Sequence, residues 1–202
     1  EDTLSLHDAL PILYFSSAGN SGNKDIGTSG TWEGDFVSGG TATVGSKTAQ
    51  LLDFGSGVTS NTVNSGGSSY RVDLFWADPL GASTNDYDFF VVDSTGAVLR
   101  SATTTQNGTQ DPYESSSTLN ANERIVVVKA TTAAARFVHL DTGRGRLAIS
   151  TAGKVRGHNG SPAANAFSVA AVAVSTAPSP NVFTGGASNP PETFTTDGPR
   201  RM

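Results

Sequence analysis

In YRVDLFWAD, residues 70–78, the large apolar Tyr70, Val72, Leu74 and Trp76 alternate with Arg71, Asp73, Phe75 and Ala77. A period of two puts the first set on one face of an extended chain and the second on the other, which predicts a β-strand with one buried face. FFVVDSTGAVL, residues 89–99, adds two apolar runs around Ser94-Thr95-Gly96, a hairpin signal. RIVVVKA (124–130), RFVHL (136–140) and RLAIS (146–150) continue at the spacing of a β-sandwich or jelly roll. The chain has 23 Gly among 202 residues and little Lys or Glu, so long exposed helices are disfavoured and short strands joined by turns are expected. A hydrophobic fraction of 36% is enough for a packed core.

Several classes of function are excluded. Thirteen basic against 18 acidic residues leave a net charge of −5 without a basic cluster, so nucleic acid is not an expected partner. No apolar run approaches the roughly 20 residues of a bilayer-spanning helix; the nearest is AFSVAAVAV, residues 166–174. Cysteine is absent, which removes disulfides, thiolate metal sites and a cysteine nucleophile. A surface rich in Ser, Thr, Asn and Gly and poor in Lys suits an exported bacterial protein, secreted or held at the cell surface. The N-x-[ST] patterns at Asn107 and Asn159 are explained by composition.

Four segments follow from pattern. Residues 1–12, EDTLSLHDALPI, resemble the translation of a sequencing adapter and are set aside as a non-native leader. Residues 13–29 form an apolar run ending in a Gly/Asn/Ser turn, as expected of a parallel-sheet strand buried on both faces. Residues 30–150 read as all β. In residues 151–202, Ser161 can cap a short helix with Pro162 at its first position, and Phe167 to Val174 form a small-residue strand suited to burial. The fold class expected is therefore mixed and mainly β, a β-sandwich insert flanked by incomplete pieces of an α/β parallel-sheet domain. DGPRRM, residues 197–202, reads as mid-domain sequence, so the chain is expected to be a fragment.

Ligands bind at the carboxyl ends of strands in α/β sheets, and Asn20 stands at such an end. SSAGNSG (16–22) resembles the Ala-Ala-Gly-Asn-x-Gly segment of the subtilisin-like serine peptidases. AFSVAAVAV resembles that family's core strand Val-x-x-Val-Gly-Ala-Val, and FTTDGPRR (194–201) its Phe-Ser-Ser-x-Gly-Pro segment, in the family's order. The resemblance implies that Asn20 donates its side-chain N–H to the oxyanion formed when a serine attacks a peptide carbonyl. It also implies that Ser17, Ala18 and Gly19 form one wall of the specificity pocket, and that the partner is a protein or peptide substrate. From the residues alone, Gly19-Asn20-Ser21-Gly22 also reads as a plain left-handed turn.

The family's Asp-Ser/Thr-Gly, His-Gly-Thr and Gly-Thr-Ser-x-Ala motifs do not occur in the chain. His7 lies in the leader, His139 alternates with Phe137 as a sheet residue would, and His158 opens a loop. Ser161 in NGSPAA resembles the nucleophile motif but lacks the Thr and precedes Pro, which fits a helix cap better. The Ser/His/Asp triad is therefore expected outside this chain, which alone should be inactive.

NDYDFFVVDSTGAVLRSATTTQNGTQDPYE, residues 85–114, is similar to the pre-peptidase and proprotein-convertase-type β-sandwiches that accompany secreted peptidases. Asp86 and Asp88 share a strand face, and Asp78, Asp111 and Glu114 could approach through loops to complete an oxygen cage for Ca²⁺. The same carboxylates also read as solvated turn residues. The alternative function is a non-enzymatic secreted β-sandwich module binding calcium, glycan or protein, or a structural module of an adhesive surface protein.

Overall fold

A computed structural model describes residues 14–153, 155, 166–177, 182–199 and 201. It is mainly β. The strands are β1 (Tyr14–Ser17), β2 (Thr31–Asp35), β3 (Ser38–Val44), β4 (Lys47–Leu52), β5 (Asn61–Ser65), β6 (Gly67–Trp76), β7 (Tyr87–Val92), β8 (Val98–Ala102), β9 (Tyr113–Leu119), β10 (Arg124–Lys129), β11 (Phe137–Asp141), β12 (Arg146–Leu147) and β13 (Ala166–Val169). Helical structure among the described residues is confined to two 3₁₀ turns, Val174–Thr176 and Gly186–Ser188. None of their helices is long and apolar enough to cross a membrane.

β2 to β12 form two antiparallel sheets face to face. One has four strands in the order β2-β11-β6-β9. In the other, seven-stranded sheet, β10 pairs with β4 and β5 along one edge and with β7 along the other, and β8 completes the β7 hairpin. The alternation in YRVDLFWAD is realised: Val72, Leu74 and Trp76 are buried between the sheets with Trp32, Val138 and Leu140, opposite Tyr87, Phe89, Val91, Ile125 and Val127. Polar tips carried into this core are satisfied, Trp76 Nε1 donating to Ser83 Oγ at 3.1 Å and Tyr87 O–H to Ala134 O at 2.8 Å.

Phe89–Val92 of β7 and Ile125–Val128 of β10 are continuous apolar runs because both faces of these stretches are covered. Phe90, Val92, Val126 and Val128 leave the inter-sheet core and form a second cluster with Ala49, packed against Val44 and Leu51. The predicted hairpin at 94–96 is present. Asp93 Oδ1 accepts from Thr95 N at 2.8 Å and Ala97 N at 3.0 Å, which closes the turn.

Two local expectations are corrected. RLAIS is a strand only at Arg146–Leu147, since the Asn61 side chain then takes both backbone groups of Ile149, at 2.7 and 3.0 Å, in place of a strand partner. β1 and β13 pair in parallel, Tyr14 with Ala166 through Ser17 with Val169, yet they are not buried. Phe15 is 60% exposed and Phe167 50%, stacked on each other at 4.9 Å, because these strands pair only with each other among the described residues. Leu13, the leader 1–12 and the predicted helix at Ser161-Pro162 lie outside the described residues.

The chain enters and leaves the sandwich at adjacent points. Ser29 Oγ donates to Thr151 O at 2.7 Å, and Thr151 N donates to Thr31 O at 2.8 Å. This puts β1 and β13 side by side although the whole sandwich separates them in sequence.

Candidate functional site

β1 continues into Ala18, whose N–H reaches Val169 O at 2.9 Å, and the chain then turns sharply. Gly19 has φ +105° and Gly22 φ +85°, a region that side chains with Cβ rarely enter. A Cβ on Gly22 would stand 2.2 Å from Thr28 O, and one on Gly19 2.9 Å from Thr196 Oγ1. The Phe194–Asp197 segment binds this turn closely. Thr196 N donates to Gly19 O at 3.0 Å, Ser21 N to Thr196 Oγ1 at 3.1 Å and Gly22 N to Phe194 O at 2.9 Å. Further along, Asn23 Nδ2 donates to Thr195 O at 3.1 Å and Lys24 N to Asp197 Oδ2 at 2.7 Å. Three stretches distant in sequence, 16–22, 166–169 and 194–197, thus meet at one place.

Asn20 is at the apex of the turn. Its side chain is exposed and makes no hydrogen bond to the described residues. Backbone bonds fix its position while its carboxamide remains uncommitted. Asn20 lines a cleft of about 190 Å³ together with Ser21, Tyr70, Arg144, Arg146 and Thr193. Ser17 is exposed, Ala18 buried and Gly19 half-buried, and none of the three lines this cleft. The arginines and Tyr70 come from the sandwich, and nothing in their sequence context marks them as neighbours of Asn20.

A second cleft, of about 490 Å³, lies between Asn23, Ile26, Ala170, Pro190, Pro191 and Asp197. Burial raises the Asp197 carboxyl above its ordinary value, against the bond from Lys24 N.

The acidic residues of 78–114 are distributed differently from the expected cage. Asp86 and Asp88 do share a face, and Lys47 Nζ stands between them, 2.8 Å from Asp86 Oδ2 and in direct contact with Asp88. Burial pushes the Asp88 carboxyl up to about 6, helped by the nearby Asp86 and Glu114 charges and opposed by Lys47. Gln106 ties the third member in, its N–H donating to Asp86 Oδ1 at 3.2 Å and its amide to Glu114 Oε1 at 3.0 Å. Burial raises Glu114 as well.

Asp78 is elsewhere, held by Arg136 Nε at 2.6 Å and by Ser83 and Asn85. Desolvation acts to raise its carboxyl, yet the Arg136, Asn85 and Ser83 bonds together hold it below the ordinary value. Asp111 is exposed and accepts from Gly81 N at 2.7 Å. Among the described residues no group of three or more acidic, His or Cys side chains is placed to hold a metal ion. Calcium takes 6–8 oxygens, whereas Asp78 and Asp111 stand apart from the group of Asp86, Asp88 and Glu114, and the Lys47 ammonium lies between Asp86 and Asp88.

His139 is a sheet residue in β11, with Nδ1 2.7 Å from Glu33 Oε1 and both side chains buried. Arg201 reaches the same glutamate, Nη2 donating to Glu33 O at 2.7 Å, so the end of the 194–201 stretch also docks on the sandwich. His7, His158 and Ser161 lie outside the described residues. Compared with protein-family models and with curated proteins, the chain matches none.

Proposed function

We propose that this chain is the oxyanion-hole segment of a subtilisin-like serine endopeptidase, interrupted by an accessory β-sandwich and inactive without the triad residues of its parent. The observation that carries this reading is the meeting of the three family-like stretches. They are separated by the sandwich, yet two of them pair as parallel strands and the third is hydrogen-bonded to the Asn20 turn. A plain surface turn has no need of such convergence.

In the parent, a serine Oγ attacks the scissile carbonyl carbon while a histidine takes the hydroxyl proton, and the carbonyl π pair moves to oxygen. Asn20 Nδ2–H donates to that oxygen. A carboxamide suits the task because it is neutral, is already positioned and has no competing partner among the described residues to give up. The exposed apolar pair Phe15 and Phe167 fits a sheet continued by further strands of the parent.

The test is Asn20→Ala in the full-length protein, assayed with a peptide amide substrate. The expected result is a loss of about 10²–10³-fold in kcat with KM little changed, the magnitude known for the equivalent donor in subtilisin itself. Unchanged hydrolysis overturns the role of Asn20. A full-length protein that cleaves no peptide overturns the peptidase reading in favour of a non-enzymatic binding module.

A further inference from the structure

The cleft at Asn20 carries a charge pattern unlike the rest of this acidic molecule. Arg144 and Arg146 both line it, and neither guanidinium makes a hydrogen bond or ion pair with the described residues. The other arginines on the sandwich mostly have carboxylate partners: Arg71 has Asp73, Arg100 has Glu123 and Arg136 has Asp78. In a chain of net charge −5, two neighbouring arginines left uncompensated in one cleft are set apart from that pattern.

Their loop is held firmly. Thr142 N and Oγ1 both donate to Gly30 O, at 3.0 and 2.7 Å, Gly145 N donates to Thr142 O at 3.0 Å and Leu147 N to Ser29 O at 3.0 Å. Gly30 and Gly145 pass so closely that a Cβ on Gly30 would stand 2.0 Å from Gly145 O. The Arg-Gly-Arg segment is thereby fastened to the chain that leads out of the Asn20 turn. Arg144 stands in the Thr142–Gly145 turn and Arg146 opens β12, and both line the cleft.

We infer that this cleft recognises a carboxylate of a bound peptide, with Arg144 and Arg146 as its binding residues. A guanidinium offers paired N–H donors matching the two oxygens of a carboxylate, and Tyr70 and Thr193 add hydroxyls around it. The substrate class is thus an acidic peptide, whose charged group docks beside the scissile carbonyl held by Asn20. This rests on the peptidase reading for its meaning, but its test does not require hydrolysis.

Titration calorimetry on this chain would use three N-acetylated tetrapeptides, acetyl-Ala-Ala-Glu-Ala-amide, its Gln counterpart and acetyl-Ala-Ala-Ala-Ala with a free C-terminus. The expected result is binding of a carboxylate peptide about fivefold or more tighter than the Gln peptide at low salt, weakening as salt is raised. Preference for the Glu peptide places the carboxylate on a side chain, and preference for the free C-terminus places it at the chain end. Arg144→Gln with Arg146→Gln should abolish the preference, and Arg144→Glu with Arg146→Glu should turn it toward a Lys peptide. Equal binding of all three peptides, or a preference that survives both double variants with melting unchanged, overturns the inference. Selective binding by a parent that hydrolyses no peptide would leave the carboxylate site standing and remove only the peptidase reading.

Discussion

The sandwich and the β1–β13 pair are built from similar apolar material and end in opposite states. In β7 every residue from Tyr87 to Val92 is buried, whereas in β1 and β13 Tyr14, Phe15, Phe167 and Val169 are 46% to 60% exposed. The difference lies in the number of layers. β7 has strands on both sides, a facing sheet and a second cluster behind it, while among the described residues β1 and β13 form a sheet of two strands. The residues proposed for chemistry sit on the thinly covered part, braced by hydrogen bonds from the 194–197 segment and by the sandwich beside it.

Core truncation should separate the two regions most sharply. Trp76→Ala removes a side chain at the centre of the sandwich and should cost about 3–5 kcal/mol in urea unfolding, whereas Phe167→Ala should cost under about 1 kcal/mol, since its ring is half exposed and stacks on Phe15 at the surface. Equal losses would mean that the flanking pair is as well packed as the sandwich.

Lys47 probes the sandwich through electrostatics. Lys47→Met leaves the buried Asp88 without its counter-charge and should cost about 3–5 kcal/mol at pH 7.5. The loss should shrink at pH 5. The folded Asp88 value of about 6 lies above its ordinary 3.8, so the folded state takes up this proton first as pH falls. Its contribution to stability therefore rises from about pH 7 down to about pH 4, opposite in sign to that of Asp78, whose folded value is lowered and whose contribution is lost in acid. Asp88→Asn should flatten the dependence between pH 5 and 8, and urea midpoints across that range measure it.

Gly22→Ala sharpens the comparison from the other side. The added Cβ meets backbone at 2.2 Å in a strained region of φ, so a loss of about 1–3 kcal/mol is expected. It should be read locally, as faster amide exchange at Ser21, Gly22 and Thr196, with the amides of β10 unchanged. The smallest effect is expected from metal removal. A chelator is expected to leave the melting temperature unchanged, because the Lys47 ammonium stands between Asp86 and Asp88; a clear drop would show a cation site after all.

Strand existence and turn position were readable in the chain itself, because alternation at 70–76, the Ser94-Thr95-Gly96 turn and the glycines around Asn20 express preferences that act over a few residues. Burial of Phe167 was misjudged for the complementary reason: an apolar run states what could be covered, and only neighbouring layers determine whether it is. Lys47 between Asp86 and Asp88, Gln106 joining them to Glu114, and Arg144 and Arg146 beside Asn20 were likewise left to the tertiary structure. Each is a contact between residues distant along the chain, set by how two sheets and one parallel pair are stacked, and local propensity carries no record of that stacking.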